Sequence, residues 1–93
     1  MLVVETTPRF DNELVVVLDF IALDSVNRAL IFYDELMEKL HNIPDNPYMY
    51  RQRDAMDDDT RELIYKGYSI PLYIDKTKGI VFILGIFNQN LWE

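Results

Sequence analysis

The sequence contains no cysteine, three glycines and a single histidine, and each shortage excludes a class of site. Without cysteine the chain can form no disulfide, thiolate zinc site or thiol nucleophile. The glycines stand apart from one another, so no glycine-rich phosphate loop is present. His41 has no second histidine or cysteine with which to complete a catalytic triad or a transition-metal site. We therefore expect a protein without a cofactor or a bound metal.

Long hydrophobic runs are missing as well. The apolar run after Met1 is too short for a signal peptide, and no run approaches the roughly 20 apolar residues that span a bilayer. The net charge of -7 argues against a general polyanion binder. Because 49% of the residues are hydrophobic, the composition indicates a folded chain. We expect one cytoplasmic domain over residues 1–93 that does not contact a membrane.

The sequence does contain two strong helical patterns. Thr7 followed by Pro8 predicts the start of a first helix, because a hydroxyl cap precedes a proline in the first turn. Asp24 and Ser25 interrupt that helix and offer a new cap, so the short break predicts an antiparallel helical hairpin. The apolar stripe of the first helix is Phe10, Leu14, Val17, Leu18 and Ile21. The stripe of the second is Val26, Ala29, Leu30, Tyr33, Leu36, Met37, Leu40 and Ile43.

Strand patterns lie on both sides of the helices. Residues 2–6 form a short apolar strand, while Pro44 and Pro47 end the second helix and open a loop through Thr60. Three more strands are predicted over residues 61–66, 68–74 and 80–87. The last is apolar on both faces, which is typical of a central strand covered on both sides. The expected class is α+β in the order β-α-α-β-β-β, with the helical hairpin on one face of a mostly antiparallel sheet.

In the stretch from Tyr50 to Leu63, three arginines surround three consecutive aspartates. The stretch could be a metal-binding loop, a nucleic-acid-binding patch or a solvated turn. A calcium loop needs alternating ligands and a mid-loop glycine, so the run Asp57–Asp59 is better explained as a solvated loop. Arg61 lies on the core side of its strand if Leu63 does, and there it would pair with a carboxylate from a packed helix. Alternatively, an aromatic and basic surface could bind a partner or a nucleic acid, using Arg51, Arg53, Arg61, Lys66, Tyr48, Tyr50 and Tyr73.

Several short motifs follow one another along most of the chain. They are Phe20-Ile21-Ala22, the aromatic and leucine-rich run from Phe32 to Leu40, and the proline-bearing loop from Pro47 to Arg51. TRELIYKGYSIPLYID then gives an arginine-led strand, a turn and a tyrosine-containing strand, and IVFILGIFNQN follows it. In order and spacing this set resembles the RelE/ParE toxin superfamily. The resemblance implies that family's fold and the role of toxin in a bacterial type II toxin-antitoxin pair.

Departures from the family pattern bear on the mechanism. Ribonuclease members such as RelE cut ribosome-bound messenger RNA with basic and tyrosine side chains on the sheet. Arg51 and Arg61 hold positions where the family usually keeps arginines. Elsewhere this chain lacks the basic residues of the family. Ser69 stands in place of an arginine, and Leu72-Tyr73 in place of a Tyr-Arg pair. Gly85 replaces a basic residue, and Asn88 and Asn90 replace a His and an Arg. The resemblance therefore favours the ParE branch, whose members are described as poisons of DNA gyrase.

The favoured hypothesis is a ParE-like toxin that binds a target such as DNA gyrase without catalysis and is neutralised by a cognate antitoxin. Candidate target- or nucleic-acid-binding residues are Arg51, Arg53, Arg61, Lys66 and Tyr73. The antitoxin is expected on the apolar residues that lie off the first helical stripe, namely Val15, Val16 and Phe20. Two alternatives remain: a RelE-like endonuclease for ribosome-bound mRNA that uses Arg51, Arg61 and Tyr73, and an inactive toxin-fold binding protein. The chain could also form a homo-oligomer.

Overall fold

Two α-helices pack on one face of a mixed sheet in the computed structural model, which describes residues 2–88. The elements are β1 (Val3–Thr6), α1 (Pro8–Asp24), α2 (Val26–Asn42), β2 (Arg51–Asp54), β3 (Asp57–Tyr65), β4 (Tyr68–Asp75), β5 (Ile80–Ile83) and β6 (Phe87–Asn88). The sheet order is β1-β5-β4-β3-β2, and β6 pairs with β4. Of the strand pairs in this part of the chain, β1–β5 is parallel and the rest are antiparallel. The predicted α+β class is confirmed.

Both helices begin at hydroxyl caps. The Thr7 hydroxyl accepts a hydrogen bond from the Phe10 amide at 3.3 Å, and the Ser25 hydroxyl accepts one from the Arg28 amide at 3.2 Å. Ser25 also ends α1, since its own amide donates to the Ile21 carbonyl at 3.0 Å. One residue thus serves two helix ends and forces the chain to reverse. Within residues 2–88 no helix combines the length and apolar character needed to cross a membrane.

The core lies between the hairpin and the sheet. Its buried members are Phe10, Leu14, Val17, Phe32, Leu36, Leu40, Ile43, Tyr65, Ile70, Leu72, Ile74, Val81, Ile83 and Ile86. The predicted stripe of α2 was partly wrong, because Phe32 is buried whereas Val26, Leu30 and Tyr33 are exposed. The Phe32 ring packs against Tyr65 at 5.2 Å between ring centroids, and this aromatic contact turns Tyr33 toward solvent.

The loop predicted through Thr60 was also wrong. Residues Arg51–Asp54 form the edge strand β2, and Asp57 already begins β3. All four β2 residues are exposed, so the strand shows no apolar alternation, and charged side chains are common on edge strands. The pairing of Gln52 with Arg61 and of Asp54 with Asp57 closes this hairpin.

The last predicted strand is interrupted. β5 ends at Ile83, and β6 begins only at Phe87, beside the first residues of β4. Glu13 of α1 bridges the interruption, since its Oε1 accepts a hydrogen bond from the Ile86 amide at 3.1 Å. A Cβ atom on Gly85 would overlap that same oxygen. The two-sided cover expected for this strand was wrong, because Val81 and Ile83 face the helices and the alternate residues are only half-buried.

Candidate functional site

The candidate binding residues are divided between the two faces of the sheet. Arg51 pairs with Glu62 across the β2–β3 ladder, so both side chains lie on the face that the helices leave open. Tyr73 follows the fully buried Leu72 on β4 and therefore points to the same open face. Arg61 pairs with Leu72 and lies on the helix side. The five predicted residues therefore do not form a single patch.

Glu62 is the centre of a charged cluster on the open face. Its Oε1 lies 3.6 Å from Arg51 Nε, and its Oε2 lies 3.9 Å from Arg53 Nε. The buried hydroxyl of Ser69 donates a hydrogen bond to the same Oε2. The Glu62 side chain is only 11% exposed, whereas both arginines reach solvent. In the sequence, Ser69 stands out only as a missing base and Glu62 does not stand out at all. Alternation along β3 is the one sequence signal that places Glu62 on the open face.

Arg61 has a structural role in the fold. Its Nη1 donates to the carbonyl oxygens of Tyr48 at 3.0 Å and Tyr50 at 3.1 Å. Its Nε donates to the Asp58 carbonyl oxygen at 3.0 Å, and its Nη2 lies 2.5 Å from the Asp58 carboxylate. The expected partner on a packed helix was wrong, because Asp58 lies on the same strand. With a side chain only 12% exposed, Arg61 ties the segment before β2 to β3.

We expect Arg61→Ala to lower the free energy of unfolding by about 1–3 kcal/mol, because three carbonyl oxygens lose their donor. Arg61→Lys should not restore the loss, since one ammonium cannot reproduce a planar fork of donors. Arg28→Ala is the matched control, because Arg28 forms an exposed pair with Asp24 and such pairs contribute about 0–1 kcal/mol. Urea unfolding followed by circular dichroism measures all three; equal losses for Arg61→Ala and Arg28→Ala would contradict the assignment.

Lys66 lies in the turn between β3 and β4, at the end of the sheet near α2. Its Nζ is 3.2 Å from Glu35 Oε1, and the Tyr65 hydroxyl donates a hydrogen bond to the same oxygen. The hydrogen bonds from Tyr65 and Lys66 lower the pKa of Glu35, and the reciprocal bond raises the pKa of Lys66. Lys66 is therefore paired with α2 and stands apart from the cluster around Glu62.

The three aspartates each have a separate structural role, so the solvated-loop prediction was wrong. Asp57 accepts hydrogen bonds from the Thr60 hydroxyl at 2.6 Å and from the Asp59 amide at 3.0 Å, and the Thr60 bond is the main reason that its pKa is lowered. Asp59 accepts from the Tyr48 hydroxyl at 2.9 Å. Asp58 binds Arg61, as described above. The carboxylates thus diverge, and residues 2–88 contain no group of three acidic or histidine side chains placed to hold a metal ion.

An apolar surface covers one side of α1. Val15, Val16 and Phe20 are all exposed there, Phe20 by 66%, as expected for residues off the buried stripe. A cavity of about 460 Å³ lies next to them. Val16 and Phe20 line it on the α1 side, and Tyr68, Ile86 and Phe87 belong to its sheet side. The structure thus brings part of the predicted docking surface into one groove, while its use by an antitoxin stays a prediction.

Comparison with known proteins places the chain in a family. Residues 4–90 match the family described as the ParE toxin of the type II toxin-antitoxin system, parDE. The chain belongs to the ParE toxin family. One solved structure, that of the chromosomal ParDE TA system from P. aeruginosa, has the same fold as this ParE family member, with a TM-score of 0.76 and 18% identity over 95% of this chain and 96% of that one. No curated protein matches the chain.

ParE membership confirms the resemblance seen in the sequence and the toxin class within type II toxin-antitoxin systems. Such a system includes an antitoxin, so an antitoxin partner follows from the ParE assignment at that level. The target of the toxin and the residues that contact either protein are separate questions.

Proposed function

We propose that this chain stops bacterial growth by binding a protein target such as DNA gyrase in the cytoplasm, and that a cognate antitoxin neutralises it by covering the α1 surface. The observation that carries the proposal is the pairing of the candidate cations. Arg51 and Arg53 share Glu62, Arg61 is held by Asp58 and two carbonyls, and Lys66 pairs with Glu35. Because these cations are paired in three separate places, they do not converge on one phosphate group.

Phosphodiester cleavage requires more of this surface than protein binding does. Charge builds on the phosphate in the transition state, and removing a single preorganised donor can cost about 10²–10³ in rate. Ser69 and Leu72, which stand where the family's nucleases have bases or a tyrosine, are both buried and cannot reach a substrate. Protein docking has no such requirement, because it can rest on apolar area and a few anchoring residues.

Induced expression in bacteria tests the proposal. We expect incorporation of labelled DNA precursors to stop before incorporation of amino acids, with no new ends on ribosome-bound messages. In vitro, the purified protein should inhibit supercoiling by DNA gyrase. Co-expression of the protein encoded by the neighbouring reading frame should restore growth.

The endonuclease alternative makes the opposite predictions. Rapid cleavage at fixed codon positions would overturn the gyrase-type mechanism, especially if Tyr73→Phe abolished it. That variant keeps the aromatic ring and removes only the hydroxyl of an exposed residue, so it tests chemistry with little effect on folding. A folded protein without any effect on growth would instead favour the inactive binding protein.

A further inference from the structure

A small cavity of about 160 Å³ lies at the interruption between β5 and β6, next to the Glu62 cluster. Arg9 from the first turn of α1 and Arg53 from the edge strand β2 both line it. The rest of its lining is Glu13, Pro71, Leu84, Gly85 and Phe87. Two cations from distant parts of the chain therefore meet at one concave site, which we name the Arg9–Arg53 pocket.

Each guanidinium in the pocket has a carboxylate neighbour but is not saturated by it. Arg9 Nε lies 3.5 Å from Glu13 Oε2, and Arg53 Nε lies 3.9 Å from Glu62 Oε2. Charge-assisted hydrogen bonds are shorter, at about 2.7–2.9 Å. Glu13 is further occupied by the Ile86 amide, and Glu62 by the Ser69 hydroxyl. The two arginines therefore retain donors for an added anion.

Arg53 is held in place by its surroundings. Its guanidinium carbon lies 5.7 Å from the centre of the Phe87 ring, within the range of a cation–π contact. Ser69 pairs with Phe87 across the β4–β6 ladder, so the same ring neighbours the residue that fixes Glu62. A guanidinium positioned by an aromatic ring and a fixed carboxylate loses little side-chain freedom on binding, which reduces the entropic cost of recognition.

The size and charge of the site indicate which anion it accepts. Pockets for whole ligands have volumes of about 300–1,000 Å³, so a cavity of about 160 Å³ admits a side chain and not a nucleotide. Three arginines (9, 51 and 53) and two glutamates (13 and 62) leave a local charge of +1 on a chain whose net charge is -7. A polyanion would be repelled by the rest of the chain, whereas a single carboxylate would not.

We propose that the Arg9–Arg53 pocket receives an aspartate or glutamate side chain of the target protein. The proposal rests on the proposed function in one respect, namely that the target is a protein. Arg9 and Arg53 bind the carboxylate, and Glu62 and Ser69 act as positioning residues for Arg53.

The first test uses the full chain and a small probe. N-acetyl-aspartate amide is titrated into the isotopically labelled protein while the Nε–Hε signals of the arginines are followed by NMR. We expect saturable shifts at Arg9 and Arg53, none at Arg28, and no response to the uncharged N-acetyl-asparagine amide. Arg53→Gln should abolish the shift at Arg9. Equal responses to the two amides, or a stronger response to inorganic phosphate than to the aspartate amide, would overturn the assignment.

The second test uses DNA gyrase as the binding partner. The double variant R9Q/R53Q should bind gyrase at least about tenfold more weakly, because truncating a desolvated charge pair at an interface costs at least that factor. Arg28→Gln is the matched control and should bind as the unmodified chain does. If the folded double variant binds gyrase normally, the pocket proposal is wrong and the proposed function stands. If the unmodified chain does not bind gyrase, the gyrase proposal fails, and the aspartate titration alone decides the pocket.

Discussion

Leu36→Ala is expected to lower the free energy of unfolding by about 2–5 kcal/mol, the range for core leucine truncations. Leu36 is 0% exposed and belongs to the core between α2 and the sheet. The alanine side chain would leave a cavity, because Leu36 is fully enclosed within that core. Urea unfolding followed by circular dichroism gives the value from the midpoint and slope.

Leu30→Ala is the matched control on the same helix. Leu30 is 59% exposed, so the same chemical change should alter the unfolding free energy by no more than about 0.5 kcal/mol. The sequence pattern puts both leucines on one stripe, whereas the structure puts only Leu36 in the core. Similar losses for the two variants would contradict the observed rotation of α2.

The second large effect is expected at the antitoxin surface. Under the proposed function, Phe20→Asp should weaken antitoxin binding by about 30-fold or more, because truncating a central aromatic anchor at an interface typically costs at least 2 kcal/mol. The added carboxylate must also be desolvated, which increases the loss. Since Phe20 is exposed in the free chain, the unfolding free energy should hardly change. Calorimetry with the antitoxin from the neighbouring reading frame measures the affinity.

Leu30→Asp is the control for this variant, because Leu30 is equally apolar and exposed but lies on α2 and lines none of the cavities near Phe20. Its antitoxin affinity should match that of the unmodified chain. In cells, co-expressed antitoxin should fail to rescue growth only for Phe20→Asp. An unchanged affinity for Phe20→Asp would show that the antitoxin docks elsewhere, and the sheet face would then be the next surface to test.

Local patterns in the sequence were enough for the helices and for β4. Thr7 and Ser25 carry hydroxyl groups of the kind that cap helix N-termini, and both accept the expected hydrogen bond from a first-turn amide. In β4 the alternation of Ile70, Leu72 and Ile74 with less apolar residues predicts its buried face correctly. These features depend on neighbours within one helical turn or one strand, which a single sequence displays directly.

The remaining features depend on contacts between distant segments. The β2 strand is charged throughout and has no apolar alternation to predict it, so only its pairing with β3 defines it. Phe32 rather than Tyr33 faces the core because its ring packs against Tyr65 of β3 and Tyr68 of β4. No local pattern marks Arg9, because it lines one cavity with Arg53 only once α1 and β2 are brought together in the fold.

The contact between Glu13 and Gly85 also bears on how relatives of this chain can vary. The Glu13 carboxylate fills the space that a side chain at position 85 would need, and its bond to the Ile86 amide holds it there. A side chain at position 85 would therefore require Glu13 to turn away and give up its bond to the Ile86 amide. We expect the two sites to covary in an alignment, with a long acidic residue at 13 accompanying glycine at 85. The order of substitution matters as well, because shortening position 13 first removes the overlap before position 85 gains a side chain.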